Sequence, residues 1–228
     1  MSRNTVLVIG DTHCPGMLHS YIDFLITVTE KYRCTKVVHI GDLVDFNCLS
    51  YHERNPDLPS VADELEKAIS QVSMLVSAFP KVEVMTGNHD ALLERKAITA
   101  GISSSLIKPL KQVLRLPSGW KIHPRYHKLV IDNVIYQHGD CGKGGQGAAY
   151  KNALAEHMSV VQGHFHSQAG VSYYANERNR IFGMQTGCGI DHTALQFAYG
   201  VKFNSKPIVS CGVILDKGRL PVIEAMVL

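Results

Sequence analysis

Five short polar motifs, each following an apolar run, carry side chains of the types that bind metal ions. The motifs are Gly10-Asp11-Thr12-His13, Gly41-Asp42-Leu43-Val44-Asp45, Gly87-Asn88-His89-Asp90, Gln137-His138-Gly139-Asp140 and Gly163-His164-Phe165-His166. Their Asp, Asn and His residues offer oxygen and nitrogen ligands without a thiolate. This set suits Mn²⁺, Fe, Zn²⁺ or Ni²⁺ better than a Cys-based zinc site or an all-oxygen Mg²⁺ or Ca²⁺ site. The motifs therefore predict a two-metal centre with hydrolytic chemistry.

The first half of the chain has the pattern of alternating strands and helices. Strands are predicted over residues 6–9, 36–40 and 81–86, and helices over residues 18–32 and 61–79. Ser60 and Asp63 form a plausible capping pair for the second helix. Such an alternation favours a βαβαβ unit, in which the carboxyl ends of parallel strands emerge at one edge of the sheet. Asp11, Asp42 and Asn88 are therefore expected to converge.

The second half of the chain has a more antiparallel pattern. Hairpins are predicted for residues 128–131 with 134–137, around residues 176–179 and around residues 216–218, and a short helix over residues 148–158. The first hairpin would deliver His138, and an apolar run at residues 160–162 would deliver His164 and His166. Because no repeat or linker interrupts the pattern, we expect a single domain over residues 1–228.

The composition and net charge limit the class to which this protein can belong and the partners that it is expected to have. The 228 residues are 45% hydrophobic and 19% charged, which suffices for one substantial core. The formal charge of +3 is spread along the chain, so nucleic acid is expected only as a substrate. No apolar run approaches the roughly 20 residues of a membrane span, and residues 6–9 are too short for a signal peptide. We expect a cytoplasmic protein without a membrane partner, and its oligomeric state stays open.

The order, spacing and content of the five motifs resemble the calcineurin-like metallophosphoesterases. The family pattern is D-x-H, G-D-x-x-D, G-N-H-D/E, a lone H followed by G, and G-H-x-H, and all five blocks occur between residues 10 and 166. One block alone is weak evidence, since a lone Gly-Asp is usually a turn, but the ordered set is specific. The resemblance implies an α/β fold with two mixed β-sheets packed face to face and flanked by helices.

The resemblance also implies a role for each candidate ligand. It assigns one metal to Asp11, His13 and His166, the other metal to Asn88, His138 and His164, and the bridging position to Asp42. Asp45 would orient a ligand histidine through a hydrogen bond. The cofactors implied are two divalent metal ions, with Mn²⁺ favoured over Fe, Zn²⁺, Ni²⁺ or Co²⁺.

Two further residues receive catalytic roles from the resemblance. His89 would lie over the scissile phosphate, where it stabilises charge or protonates the leaving group, and Asp90 would orient His89 through a hydrogen bond. The implied mechanism is attack of a metal-bridged hydroxide on phosphorus, in line with the leaving oxygen.

Departures from subfamily patterns narrow the expected substrate. Phe46 stands where the protein Ser/Thr phosphatases of this superfamily carry an arginine, and Asp90 where they carry Glu. His89 argues against the lipid-precursor pyrophosphatases, which usually have G-N-R-D. We therefore expect a small phosphodiesterase or phosphomonoesterase acting on a small molecule or nucleotide. The alternative is a non-catalytic metal-binding scaffold of the same fold, which the complete set of ligands and His89 disfavours.

For several other polar residues, the sequence gives less specific evidence of a functional role. Arg95 and Lys143 could touch a substrate phosphate, although solvated positions are favoured, and the glycine-rich residues 142–147 lack the spacing of a phosphate-binding P-loop. His39 is predicted to be a core residue and His19 an exposed one. The remaining histidines match no motif of the family: His52, His123, His127, His157 and His192.

Overall fold

The computed structural model describes residues 4–51, 57–194 and 204–227. The strands in this part of the chain are β1 (Val6–Ile9), β2 (Lys36–His39), β3 (Val82–Met85), β4 (Trp120–His123), β5 (Leu129–Ile131), β6 (Val134–Gln137), β7 (Ser159–Gln162), β8 (Ala169–Ala175), β9 (Arg180–Thr186), β10 (Ser210–Leu215) and β11 (Leu220–Ala225). The helices are α1 (Tyr21–Tyr32), α2 (Val61–Ala78), α3 (Leu92–Thr99), α4 (Leu110–Val113) and α5 (Ala148–Glu156).

These strands form two mixed sheets, as the sequence predicts. The first has the order β11-β10-β1-β2-β3-β4, and the second has the order β5-β6-β7-β9-β8. Strands β1 to β4 are parallel, which confirms the βαβαβ unit and adds β4 to it. In the second sheet β6, β7 and β9 are parallel, and the edge strands β5 and β8 pair antiparallel.

Because side chains alternate between the two faces of each sheet, the hydrophobic core is divided into layers. Successive side chains of a strand point to opposite faces of its sheet. Val6 and Val8 therefore join Tyr136, Phe182 and Met184 of the second sheet in one buried cluster between the sheets. The other face of the first sheet packs against α1 and α2, and the outer face of the second sheet packs against α5. Each buried large aliphatic or aromatic side chain contributes about 1.5–3 kcal/mol.

A local signal accounts for the start of α2. Ser60 caps α2 by accepting a hydrogen bond from the Asp63 amide at 3.2 Å, as the sequence predicts. The first helix begins at Tyr21, three residues later than predicted, and Ser20 before it makes no side-chain cap. The predicted hairpins are all present, as β5–β6, β8–β9 and β10–β11. None of the helices described is long and apolar enough to cross a membrane.

Candidate metal centre

The predicted ligands meet where the two sheets adjoin, at the carboxyl ends of their parallel strands. Asp11, Asp42 and Asn88 lie in the loops after β1, β2 and β3 of the first sheet. His138 follows β6, and His164 and His166 follow β7, in the second sheet. The convergence predicted from the parallel topology is therefore observed, and both sheets contribute to it.

A first group of donor atoms comes from Asp11, His13 and His166. Oδ2 of Asp11 accepts a hydrogen bond from the His164 amide at 2.8 Å and lies 3.1 Å from Nε2 of His166. Nε2 of His13 lies 3.2 Å from Nε2 of His166. The donor atoms of the three residues all fall within 4.8 Å of one another, an arrangement that one metal ion can occupy.

A second group comes from Asp42, His138 and His164, whose donor atoms also lie within 4.8 Å of one another. Oδ1 of Asn88 is 3.1 Å from Nε2 of His138, so the amide oxygen joins this group. His138 is fixed from behind, because its Nδ1 lies 3.2 Å from the Ile40 carbonyl. The two groups contain all seven residues that the sequence nominates as ligands.

Asp42 lies between the two groups. Its Oδ2 is 3.5 Å from Nε2 of His13 and 3.3 Å from Nε2 of His138. Its Oδ1 accepts a hydrogen bond from the His89 amide at 2.8 Å, which fixes the plane of the carboxylate. One oxygen therefore faces both groups while the other is held by the backbone.

The backbone around these ligands is strained and closely packed. Asp42, His13 and His164 adopt φ values of 49°, 46° and 71°, a region that is uncommon for residues other than glycine. Such strain persists only where the surroundings enforce it, and it concentrates at functional sites. Two glycines allow this close packing. A Cβ added at Gly87 would lie 2.1 Å from Oδ1 of Asp42, and a Cβ added at Gly163 would lie 2.1 Å from Oδ1 of Asp11.

We expect Gly163→Ala to weaken metal binding by at least about 10-fold, the usual effect of disturbing the support of a ligand. The methyl group would collide with Asp11 Oδ1 at 2.1 Å and with Ile40 Cγ2 at 2.5 Å, which displaces the carboxylate. Calorimetric titration with Mn²⁺ measures the change. Gly144→Ala is the matched control, because its nearest neighbour is Phe165 Cζ at 3.9 Å. Equal metal affinity in both variants would contradict the expectation.

Asp45 holds two of the site histidines. Its Oδ1 lies 2.8 Å from Nδ1 of His13, the contact predicted from the sequence. His89 donates from Nδ1 to the Asp45 carbonyl at 2.8 Å, and the same nitrogen lies 3.1 Å from Asp45 Oδ1. The ring of His89 is therefore oriented by Asp45, with its side chain 23% exposed.

The prediction that Asp90 orients His89 is wrong. The buried Asp90 carboxylate accepts hydrogen bonds from the amides of Val44 at 3.1 Å and Gly87 at 2.9 Å. It thus joins the loop after β2 to the loop after β3. Asp90 supports the loops that carry Asp42 and Asn88.

Burial and neighbouring charges shift the pKa values of the carboxylates and histidines in the site. Burial by itself raises the pKa of Asp42, but the charges of His138 and His89 bring it well below its usual value. Burial by itself lowers the pKa of His89, but Asp42 and Asp45 raise it to about 10. Burial and then the neighbouring Asp42 charge raise the pKa of Asp90 to about 6. Asp42 is therefore ionised, the form in which a carboxylate binds a cation.

A ladder of buried amide side chains lies behind the second-sheet ligands, and sequence analysis missed it. Oε1 of Gln162 accepts hydrogen bonds from Gln137 Nε2 at 3.2 Å and from Asn152 Nδ2 at 2.9 Å. Gln162 Nε2 donates to Gln185 Oε1 at 3.3 Å, and Gln185 in turn donates to the Gly163 carbonyl. The sequence feature that could have indicated this ladder is that β6 and β7 each end in a glutamine, directly before a ligand motif.

The ladder also reaches the glycine-rich loop of residues 142–147. Asn152 accepts a hydrogen bond from the Lys143 amide at 2.7 Å and donates to the Lys143 carbonyl at 3.2 Å. The side chain of Lys143 is exposed. The loop is therefore fixed to the same strand ends as His138 and His164.

The other sequence candidates lie outside the two donor groups. The Arg95 guanidinium lies 5.1 Å from the centre of the Tyr51 ring. His39 is buried, with Nε2 3.0 Å from Thr12 Oγ1, and His19 is exposed, so both predictions are confirmed. His123 lies 2.7 Å from Glu83, and His52 falls outside the described residues.

The donor set fits divalent metal ions. Two imidazole nitrogens, those of His13 and His166, face each other at 3.2 Å beside a carboxylate, an arrangement that a shared cation stabilises. Oδ1 of Asp11 is buried without a hydrogen-bond partner among the described residues. Buried carboxylates of this kind are normally paired or bound to a metal.

Sequence comparison identifies the family. The profile of the calcineurin-like phosphoesterases matches residues 5–201. The chain belongs to the calcineurin-like phosphoesterase family. Members of this family bind divalent metal ions and act on phosphate esters, and the donor groups of this phosphoesterase could hold such ions.

Comparison with solved structures finds similar chains at low sequence identity. A novel archaeal phosphodiesterase aligns with a TM-score of 0.51 and 14% identity, over 97% of this chain and 99% of the other. A metallophosphoesterase from Sphaerobacter thermophilus aligns with a TM-score of 0.48 and 13% identity, over 99% and 89% of the two chains. Vacuolar protein sorting 29 from Cryptosporidium parvum aligns with a TM-score of 0.45 and 15% identity, over 98% of this chain and 97% of the other. No curated protein matches the sequence.

Proposed function

We propose that this calcineurin-like phosphoesterase hydrolyses phosphodiesters or phosphomonoesters of small molecules or nucleotides at a centre of two divalent metal ions. The observation that carries the proposal is the position of Asp42. One of its oxygens lies 3.5 Å from His13 Nε2 and 3.3 Å from His138 Nε2, between the two donor groups. A carboxylate shared by two cations offsets their mutual repulsion.

The ligands proposed for the two ions follow the two donor groups. Asp11, His13 and His166 would hold one ion, Asn88, His138 and His164 the other, and Asp42 both. Mn²⁺ is the ion we favour, since the ligands are nitrogen and oxygen atoms. When bound, such ions lower the pKa of a water molecule and neutralise charge on the phosphoryl group.

His89 is the residue we assign to the leaving group. Because Nδ1 donates to the Asp45 carbonyl at 2.8 Å, Nε2 is the ring nitrogen that can act on a substrate. Against the effect of burial, the neighbouring carboxylates of Asp42 and Asp45 shift the pKa of His89 upward, a direction that favours the protonated ring. A proton donor held by the backbone in this way can protonate a leaving oxygen.

Removal of the metal ions tests this function. Chelation should abolish hydrolysis of bis-para-nitrophenyl phosphate and para-nitrophenyl phosphate, because both nucleophile formation and charge neutralisation depend on the cations. Added Mn²⁺ should restore turnover, with two ions per chain by elemental analysis. Full activity in metal-free protein would exclude the mechanism. Two bound ions without hydrolysis of any phosphate ester would favour the scaffold alternative.

A further inference from the structure

A second cleft lies at the opposite edge of the sheets from the donor groups. It measures about 520 Å³ and is lined by the β5–β6 turn, the start of β7, the β8–β9 turn and the β10–β11 turn. Three of these segments precede the parallel strands β6, β7 and β9, whereas the proposed histidine ligands of the second sheet follow β6 and β7. The cleft is therefore separate from the candidate metal centre.

Four cationic side chains converge on this cleft. Arg178 and Arg180 come from the β8–β9 hairpin of the second sheet, and Lys217 and Arg219 come from the β10–β11 hairpin of the first sheet. In the part of the chain that the structure describes, none of the four forms an ion pair with a carboxylate. The cleft thus gathers positive charge from both sheets.

Among the described residues that line the cleft, the one acidic residue, Asp132, already accepts hydrogen bonds. The Asp132 carboxylate accepts hydrogen bonds from Asn4 Nδ2 at 3.0 and 3.3 Å. Its single charge cannot balance the four cations. Like charges that converge without counter-ions repel one another, so binding of an anion lowers the free energy of this region.

Two contacts of Arg180 connect the walls of the cleft. The Arg180 guanidinium donates a hydrogen bond to the Arg219 carbonyl at 3.2 Å and lies 5.5 Å from the centre of the Tyr173 ring. These contacts join the two hairpins and orient a cation. Sites for small ligands commonly measure about 300–1,000 Å³, and this cleft falls in that range.

We propose that this cleft binds a small ligand that carries a diphosphate group, such as a nucleoside diphosphate. Two cations on each of two walls match the two or three charges of a diphosphate better than the charge of a single phosphate. Arginine guanidinium groups are suited to bidentate contacts with phosphoryl oxygens. The proposal concerns a site apart from the metal centre and does not depend on hydrolysis there.

Calorimetry with two non-hydrolysable probes, methylene diphosphonate and α,β-methylene-ADP, tests the proposal on the metal-loaded full chain. The double variant Arg178→Ala/Arg219→Ala should bind both probes at least 10-fold more weakly, because one cation is lost from each wall. The double variant Lys67→Ala/Lys81→Ala removes the same charge from exposed positions on and after α2, and should bind within two-fold of wild type. Asp42→Asn, in which the substitution lies in the metal centre and away from the cleft, should retain this binding when circular dichroism shows a native fold.

Several results would overturn the assignment. Equal weakening in both double variants would show an effect of net charge rather than a site. Loss of all probe binding in Asp42→Asn would place the diphosphate at the metal centre. Tight binding of a single-stranded oligonucleotide, lost in the Arg178→Ala/Arg219→Ala variant, without probe binding would instead make the cleft part of a nucleic-acid surface. Circular dichroism of each variant checks that its fold is intact.

Discussion

Replacement of Asp42 by Asn should reduce turnover by about 10³-fold or more and remove at least one metal ion per chain. The Asp42 carboxylate is buried, and its Oδ2 faces His13 and His138 at 3.5 and 3.3 Å. An amide keeps the shape but loses the negative charge between two cations. Elemental analysis and initial rates on the same samples measure both effects.

Asp23→Asn is the matched control for this variant. Asp23 is exposed in the first turn of α1, so the same chemical change there should leave metal content and rate unchanged. Two tightly held metal ions in an active Asp42→Asn variant would show that Asp42 is not the bridge. Loss of the fold in that variant, detected by circular dichroism, would require Asp42→Glu as the comparison.

His89→Ala should keep both metal ions and lower turnover by about 10²–10⁴-fold, the usual contribution of a positioned acid or base. His89 contacts Asp45 through Nδ1, and its neighbour Asn88 carries the oxygen near His138. The loss should be smallest for a nitrophenolate leaving group, which needs little protonation, and largest for an alkoxide. Rates on aryl and alkyl esters of the same phosphate separate the two cases.

The ligand variant His164→Ala provides the contrast. It should cost metal and impair all substrates alike, because His164 belongs to a donor group. Equal losses of His89→Ala on aryl and alkyl esters would rule out proton donation and leave charge stabilisation as its role. Loss of metal in His89→Ala would overturn the division of roles between the two residues.

The ligand positions could be predicted because they depend on local pattern and topology. Short runs rich in β-branched residues, at Val6–Ile9 and Lys36–His39, predict parallel strands, and parallel strands bring their carboxyl ends together. Strand β4 escaped prediction, since Lys121 and His123 interrupt its apolar pattern. Both pair with Glu83 on the adjacent strand, at 3.0 and 2.7 Å, a contact between distant positions that composition does not reveal.

The partner of His89 could not be predicted from neighbours in the sequence. Asp90 adjoins His89 in the chain, yet Asp45, which is 44 residues away, makes the contact. Asp42 and Phe46, which lie on either side of residues 43–45, have left-handed backbones with φ values of 49° and 47°. The basic cleft was likewise invisible, because its four cations come from two hairpins that meet only in the folded chain.

The arrangement of the ligands across two sheets makes the metal ions part of the folding equilibrium. Asp11 and Asp42 belong to one sheet and His138 and His166 to the other, so each proposed ion would crosslink the two layers. A ligand that binds only the folded state adds about 2.7 kcal/mol to its stability at a free concentration 100-fold above the dissociation constant. The melting temperature would then rise with the logarithm of free metal concentration, and scarcity of metal would lower the amount of folded protein as well as its activity.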